Sequence, residues 1–357
     1  MEQLKDFFQE LRGPWSRRHI AMAVLCVVLA LVLATMLVAT AWVDSMLDRL
    51  NRVDPDQNPT LSPEQMESIF NATDASDATD STFTGPTLNA GDITWADDVT
   101  QQIGGENTGL INILIIGQDR RPGEYRARSD AMLLCTFDTN RKVLTMTSFL
   151  RDLYVQIPGY KSHKLNTAYQ AGGMSLLNET LYDNFGIHVD GNVEVDFSAF
   201  AKIINILGGV QIRLTSAEAS YLNSNYGWNL APGMCKLSGE HALAYSRIRA
   251  IGMDFERSQR QRNVLAAVVN QCKSMSLAQF QSIVNEVLPL ITTDLSNNDI
   301  LAYVMDLFPM LSGMSVSSQR VPADNAYQFA NIDGLEVLLP DLEACRQQLL
   351  DSLMPRQ

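Results

Sequence analysis

Five arginines and no lysine fall within HALAYSRIRAIGMDFERSQRQR, residues 241–262: Arg247, Arg249, Arg257, Arg260 and Arg262. A guanidinium is suited to places where a planar fork must grip two oxygens of a phosphate or carboxylate. On a helix starting near Asp254, positions 257, 260, 261, 264, 265, 268, 269 and 272 share one face. From Val264 onward that face reads Val264, Leu265, Val268, Val269 and Cys272, an apolar stripe. Arg257, Arg260 and Gln261 therefore begin the core-facing side, near a helix N-terminus whose N–H groups already favour anions. Burying an unpaired charge costs on the order of several kcal/mol, so these arginines need anionic partners. Arg247 and Arg249 are two apart, point the same way if extended, and can converge on that helix end. Two explanations stand: a phosphate-bearing ligand, or an internal salt-bridge network with Asp254 and Glu256. Two acids cannot neutralise five arginines, which favours the ligand.

A second cluster precedes it. Asp119 directly follows the apolar run LINILIIG, and Asp130 precedes the next apolar run, with Arg120, Arg121, Arg126 and Arg128 between them. Ligands of α/β folds bind at the carboxyl ends of strands. Two carboxylates there suit a hard cation, since Mg²⁺ commonly uses one or two carboxylates plus substrate phosphates. The same two aspartates also suit turn formation and loop ion pairs, and their spacing does not choose. FLRD places Arg151 just after a strand, and HKLN places Lys164 and Asn166 before a helix. His19, His163, His188 and His241 show no ligand spacing. There is no GxSxG elbow, HExxH or Walker loop, which sets aside the common hydrolase, metalloprotease and P-loop chemistries.

These residues need elements to position them. LINILIIG, residues 110–117, is a short continuous β-branched run and reads as a strand covered on both faces. AMLLCTFD and VLTMTSFL flank Thr139-Asn140-Arg141-Lys142 as a hairpin. GMSLLNETLYDNFG has helical spacing and stops at Gly186. NVEVD and VQIRL read as strands, and FSAFAKIINIL as a helix with Asp196 at its N-cap and Gly208-Gly209 as its stop. A longer helix, Phe255 to Cys272, is capped by Asp254. Strands interleaved with helices predict an α/β protein, a three-layer α/β/α sandwich, and the hairpin makes its central sheet mixed.

Ile20 to Val43 is apolar apart from Thr35 and Thr40, long enough for a bilayer core that needs about 20 residues. Ala39-Thr40-Ala41 resembles a signal-peptidase site, but the run exceeds a signal h-region of about 7–15 residues, which favours an uncleaved signal anchor. Arg12, Arg17 and Arg18 precede it, and Asp44 and Asp48 follow. The basic flank stays in the cytoplasm, so residues 1–19 form a cytoplasmic tail and 44–357 lie outside. Residues 44–109, rich in Asp, Ser, Thr, Asn, Pro and Gly and lacking periodicity, read as a flexible acidic spacer with a short helix at Pro63–Phe70. Residues 110–272 form the folded domain, and 273–357 complete or brace it. The formal net charge of −13 gives no long-range attraction for nucleic acid. Of the five cysteines, Cys26 sits in the span, while Cys135, Cys235, Cys272 and Cys345 face an oxidising side, as disulfides or as buried thiols.

The ordered blocks NILIIGQDRR, RSDAM, FLRDLYV, KLNTAY, VDFSAFAKIINILGGV and HALAYSRIRAIGMDFERSQRQR resemble the LytR–CpsA–Psr (LCP) family of bacterial cell-envelope proteins across roughly residues 110–272. The single N-terminal span is also similar to that family's layout. The resemblance implies a phosphotransferase at the outer membrane face. It would move a glycan phosphate from an undecaprenyl-pyrophosphate carrier to peptidoglycan and release polyprenyl phosphate. Wall teichoic acid and capsule are the cargo classes. Asp119 and Asp130 match the family's Mg²⁺-associated aspartates. Arg128, Arg151, Arg247 and Arg249 match its pyrophosphate-gripping arginines, and Lys164 and Asn166 its K-x-N. Asp254, Arg257, Arg260 and Gln261 match D-x-x-R-x-x-R-Q. The usual RSDT is RSDA here, so Ala131 removes a hydroxyl from the metal region. Asp119 or Asp254 would take the proton from the acceptor hydroxyl, and the residues do not choose. The isoprenoid tail needs an apolar slot, for which FSAFAKIINIL is a candidate lining. A polyprenyl-pyrophosphate hydrolase and a non-catalytic membrane-tethered regulator are the competing functions; an external domain with no helix-turn-helix signal weighs against the second.

Overall fold

The computed structural model describes residues 44–53, 61–71, 85–118 and 126–355. The expected span at 20–43 and the loop residues Asp119, Arg120 and Arg121 lie outside these. Among the described residues no helix is long and apolar enough to cross a membrane. The chain divides into Met1–Arg49 and Leu50–Gln357, and the second unit carries the fold.

Seven strands make the central sheet: β1 (Asn51–Arg52), β2 (Leu110–Gln118), β3 (Ser129–Asp138), β4 (Val143–Phe149), β5 (Gly191–Asp196), β6 (Thr292–Thr293) and β7 (Ser315–Val321). Their order is β1-β6-β5-β2-β3-β4-β7. The pairs β2/β3, β3/β4 and β5/β6 are antiparallel; β2/β5, β4/β7 and β1/β6 are parallel. The sheet is mixed, as the hairpin predicted, and Asp138 faces Val143 across the four-residue turn.

The helices used below are α1 (Pro63–Asn71), α2 (Leu165–Phe185), α3 (Phe197–Ile206), α4 (Ser216–Tyr226), α5 (Gly239–Ser246) and α6 (Asp254–Lys273). Side chains alternate along a strand, so neighbours in β2–β4 serve opposite faces. Leu114, Ile116, Met132 and Leu134 pack with Leu165, Leu177 and Leu181 of α2. Leu133, Cys135, Leu144 and Met146 pack against Leu265, Ala266 and Val269 of α6. Helices thus cover both faces, which is why the strands read as unbroken apolar runs. A separate cluster of Ile204, Ile212, Leu222, Leu237, Tyr245 and Val264 joins α3, α4, α5 and α6.

The local signals hold at several helix ends. The Asp196 carboxylate accepts from Ala199 N at 2.8 Å and caps α3. Gly186 stops α2 with φ 73°, a left-handed conformation that glycine adopts without a Cβ penalty. Helix α2 begins earlier than its apolar spacing suggested, at Leu165, and kinks at Gly173 with φ 68°. Asp254 is not the cap of α6: Met253 holds that position and Asp254 is the first helical residue, its carboxylate turned to neighbouring arginines.

Residues 44–109 differ from a spacer wherever they are described. Asn51 and Arg52 pair with Thr292 and Thr293 at the sheet edge. The expected short helix is present as α1, and its Phe70 is 7% exposed, stacked on Tyr160 at 5.1 Å. Thr87–Leu88 pairs with Asn331–Ile332, and Ile103 is buried beside Ile187. These apolar residues are sparse and aperiodic, so each anchors an irregular stretch without leaving a pattern. Residues 273–357 supply β6 and β7, and β7 pairs with β4 along seven residues. The sheet therefore runs through the 272/273 boundary. Cys135, Cys235, Cys272 and Cys345 are free thiols, so no Cys235–Cys272 bridge forms.

Candidate active site

The carboxyl end of β4 and the first turns of α2 and α6 meet at one place. Arg151 follows β4 after Leu150. Its Nη1 donates to Asp130 Oδ1 at 3.1 Å and its Nε to Asp254 Oδ2 at 3.1 Å. The same Nε lies 3.3 Å from Asp152 Oδ2. Lys164 pairs with Asp152 Oδ1 at 3.0 Å. The short antiparallel pair Tyr154–Val155 and His163–Lys164 sets Lys164 opposite Tyr154, and Asn166 N donates to Arg151 O at 3.2 Å. Arg257 Nη2 donates to Asp254 Oδ2 at 2.9 Å, one helical turn along α6. Arg249 Nη2 lies 3.9 Å from Asp130 Oδ1. Arg128 holds Gln170 Oε1 at 3.2 Å and feels the charges of Arg151, Asp152 and Asp130.

Among the described residues the cluster gathers five cations, Arg128, Arg151, Lys164, Arg249 and Arg257, around three carboxylates, Asp130, Asp152 and Asp254. Arg257 is 5% exposed, and its Nη1 is buried without an acceptor. A buried guanidinium nitrogen in that state has unspent donor capacity for an anionic oxygen.

The carboxylates divide electrostatically. Burial raises the Asp254 pKa, and this outweighs the pull of Arg257 and Arg151. Burial acts on Asp152 in the same direction, but Arg151 and Lys164 overcome it and lower its pKa. Two neighbouring carboxylates pushed apart in this way suit different roles, one held ionised and one able to exchange a proton nearer neutral pH.

Asp130, Arg128, Arg151, Lys164, Arg249, Asp254 and Arg257 are thus brought together, and Asn166 adjoins them with a buried Oδ1 that meets no donor. Asp119 lies outside the described residues. Arg247 and Arg249 are both exposed around buried Ile248, and the Arg247 guanidinium lies over the Phe197 ring at 4.4 Å. Gln261 is half-buried on α6. Arg260 is not in the cluster. It is 4% exposed and donates to Glu218 Oε1 at 2.8 Å, Ile248 O at 3.0 Å and Ile251 O at 2.7 Å. Arg262 is also buried, among Ser148, Ser258 and Gln259, and burial beside Arg320 brings its pKa down to about 10.

Several residues escaped the sequence reading. Asp152 stands beside Arg151 in FLRD, and its signal was present in that motif. Glu194 on β5 is buried, with Gln118 Nε2 and the Tyr169 hydroxyl both donating to its carboxylate. Gln118 Oε1 in turn accepts from Ala127 N at 3.2 Å. Gln118 and Ala127 bracket the loop in sequence, but nothing in the spacing announces the buried carboxylate that orients Gln118.

A mixed sheet covered on both faces, with a cation-rich cluster at strand and helix ends, defines an α/β protein with an extended anion-facing site. The chain belongs to the LytR–CpsA–Psr family, whose LytR_cpsA_psr family model matches residues 69–350. It is 32% identical over 251 residues to the polyisoprenyl-teichoic acid–peptidoglycan teichoic acid transferase TagT of Bacillus subtilis, covering 68% of this chain and 76% of the relative. It is 31% identical over 230 residues to the regulatory protein MsrR of Staphylococcus aureus (strain COL), covering 63% and 68%. The solved structure of the LytR-CPS2A-psr family protein YwtF (TagT) with bound octaprenyl pyrophosphate lipid superposes with a TM-score of 0.53 at 27% identity, covering 73% of this chain and 99% of that one.

Proposed function

We propose that this protein transfers a glycan phosphate from a polyprenyl-pyrophosphate-linked polymer to a peptidoglycan hydroxyl. The observation that carries it is the Arg151–Asp130–Asp254–Arg257 cluster, with the unsatisfied Arg257 Nη1 inside it. The TagT relative is named for such a transfer, and the lipid-bound neighbour holds a polyprenyl pyrophosphate. Both support the same substrate class here: an undecaprenyl-pyrophosphate-linked glycan such as wall teichoic acid or capsule.

In phosphoryl transfer a protein mainly positions groups and stabilises charge. Arg128, Arg151, Arg249, Arg257 and Lys164 grip the diphosphate oxygens. The acceptor hydroxyl oxygen attacks the glycan-linked phosphorus. The bond from that phosphorus to the bridging oxygen breaks, and polyprenyl phosphate leaves. Asp254, its pKa raised by burial, takes the hydroxyl proton, with Asp119 the other candidate base. Arg151 holds Asp254 and Asp130 in place throughout.

Among the described residues no group of three or more His, Cys, Asp or Glu could hold a metal alone. Mg²⁺ takes one or two carboxylates and completes its shell with phosphate and water. Both Asp130 ion pairs use Oδ1, so Oδ2 remains a candidate ligand, with Asp119 the second. When bound, the ion would neutralise phosphate charge. The apolar run at 20–43 anchors the domain at the outer face of the cytoplasmic membrane.

The test supplies an undecaprenyl-pyrophosphate oligosaccharide, Mg²⁺ and peptidoglycan fragments. A glycan–phosphate–muramyl adduct is the expected product. Released glycan phosphate alone means hydrolysis. Absence of turnover, with cellular function intact in Arg151→Ala and Asp254→Asn variants, means a non-catalytic role.

A further inference from the structure

We propose that a cleft between Trp95 and Tyr327 binds an N-acetylated, uncharged oligosaccharide chain, the backbone of the acceptor; the assignment as acceptor rests on the transfer reading above. The cleft has a volume of about 610 Å³, and Asp92, Asn325, Gln328, Asp341 and Glu343 line it together with the two aromatic rings. That size and that mixture of flat apolar surface with a few polar groups match a small-ligand site. A sugar ring presents C–H groups on its face and hydroxyls at its rim. Aromatic planes cover the first, and amides and carboxylates hydrogen-bond the second.

Both rings are set before a ligand arrives. Trp95 is stacked on Tyr154 with centroids 5.9 Å apart, and Tyr327 lies 5.3 Å from Phe255 and 5.5 Å from Phe329. Pre-set side chains reduce the ordering cost of binding. Among the described residues no lysine, arginine or histidine lines the cleft. Its charge is opposite in sign to that of the catalytic cluster, so the diphosphate is directed to one and rejected by the other.

The two places are linked through neighbouring residues in the chain. Tyr154, under Trp95, lies two residues beyond Asp152, and Phe255, against Tyr327, follows Asp254. The Leu338 amide donates to Asp152 O at 2.9 Å, and Leu339 lines the cleft. A chain seated between Trp95 and Tyr327 is therefore held beside the residues that flank Asp152 and Asp254.

The experiment titrates full-length protein in detergent with N-acetylated chitotetraose, read by tryptophan fluorescence and saturation-transfer NMR, with tetralysine as the alternative probe. Gln328 and Glu343 are exposed, so the Gln328→Ala/Glu343→Ala variant keeps its fold. Chitotetraose is expected to saturate, to bind at least about tenfold more weakly to the double variant, and to bind Asp254→Asn unchanged. Failure to saturate, equal binding by the double variant, or saturation by tetralysine alone overturns the proposal. Adduct formation without chitotetraose binding removes the cleft and leaves transfer standing; binding without adduct does the reverse.

Discussion

Arg260 Nε donates to Glu218 Oε1 at 2.8 Å, so a buried ion pair joins α6 to the first turn of α4, 42 residues earlier. Glu218 also closes a capping box with Thr215, and Arg260 binds the carbonyls of Ile248 and Ile251. Arg260 therefore holds the turn that carries Arg249 to Asp130. Removing one partner of such a pair strands a buried charge, at a cost of about 3–5 kcal/mol. Arg260→Ala should lose that much stability by urea denaturation. Arg260→Met/Glu218→Leu should recover most of it, and a double-mutant cycle should give strong coupling. Additive losses would contradict the pairing.

Asp254→Asn keeps shape and removes the proposed base. A decrease in kcat of about 10²–10⁴-fold is expected, in the range of general-base contributions, with KM for the lipid-linked donor changed little. Because burial raises the Asp254 pKa, the acid limb of the kcat profile should lie above the ordinary aspartate range and disappear in the variant. An acid limb that persists in Asp254→Asn assigns the base to Asp119.

His163 is 1% exposed, accepts or donates at Thr167 Oγ1 over 2.7 Å, and meets the Phe70 ring edge-on. Burial, with Arg128, Lys161 and Lys164 nearby, pushes its pKa down to about 4. The unfolded chain takes up its proton near pH 6.5 and the folded one only near 4, so His163 contributes stability above 6.5 that is lost as pH falls through that window. The shift corresponds to about 3 kcal/mol. His163→Gln should flatten the stability curve between pH 6.5 and 4; an unchanged slope would count against a buried neutral imidazole.

Glu194 orients Gln118 and Tyr169, and Gln118, which precedes Asp119 in the chain, also accepts from Ala127 N. Gln118→Ala should lower kcat about tenfold or more while leaving the melting temperature within a few degrees. Rescue by Gln118→Glu is not expected, because a second carboxylate would face Glu194. Loss of stability and activity in parallel would make the network merely structural.

Phe70 fills a site between Tyr160 and His163 although it lies in the stretch read as spacer. Phe70→Ala should cost about 3–5 kcal/mol in thermal or urea unfolding, as for other buried aromatics. A variant as stable as the parent would restore the spacer reading.

The hairpin, the covered strand Leu110–Gln118, the Asp196 cap and the Gly186 stop were legible because each depends on neighbours within a few residues. The family resemblance was legible for the same reason: its blocks are local. The core-facing position of Arg257 and Arg260 followed from helical period alone. Their fates did not. Two acids counted within 241–262 left a surplus of guanidinium groups, and folding supplied further acids from outside it: Asp130 and Asp152 through Arg151, and Glu218 for Arg260. Charge pairing acts over a few ångströms in space without regard to separation along the chain. Periodicity therefore showed that Arg257 and Arg260 are buried but not that Arg262 is, and only the tertiary contacts decided that Arg257 faces the site while Arg260 locks the scaffold behind it.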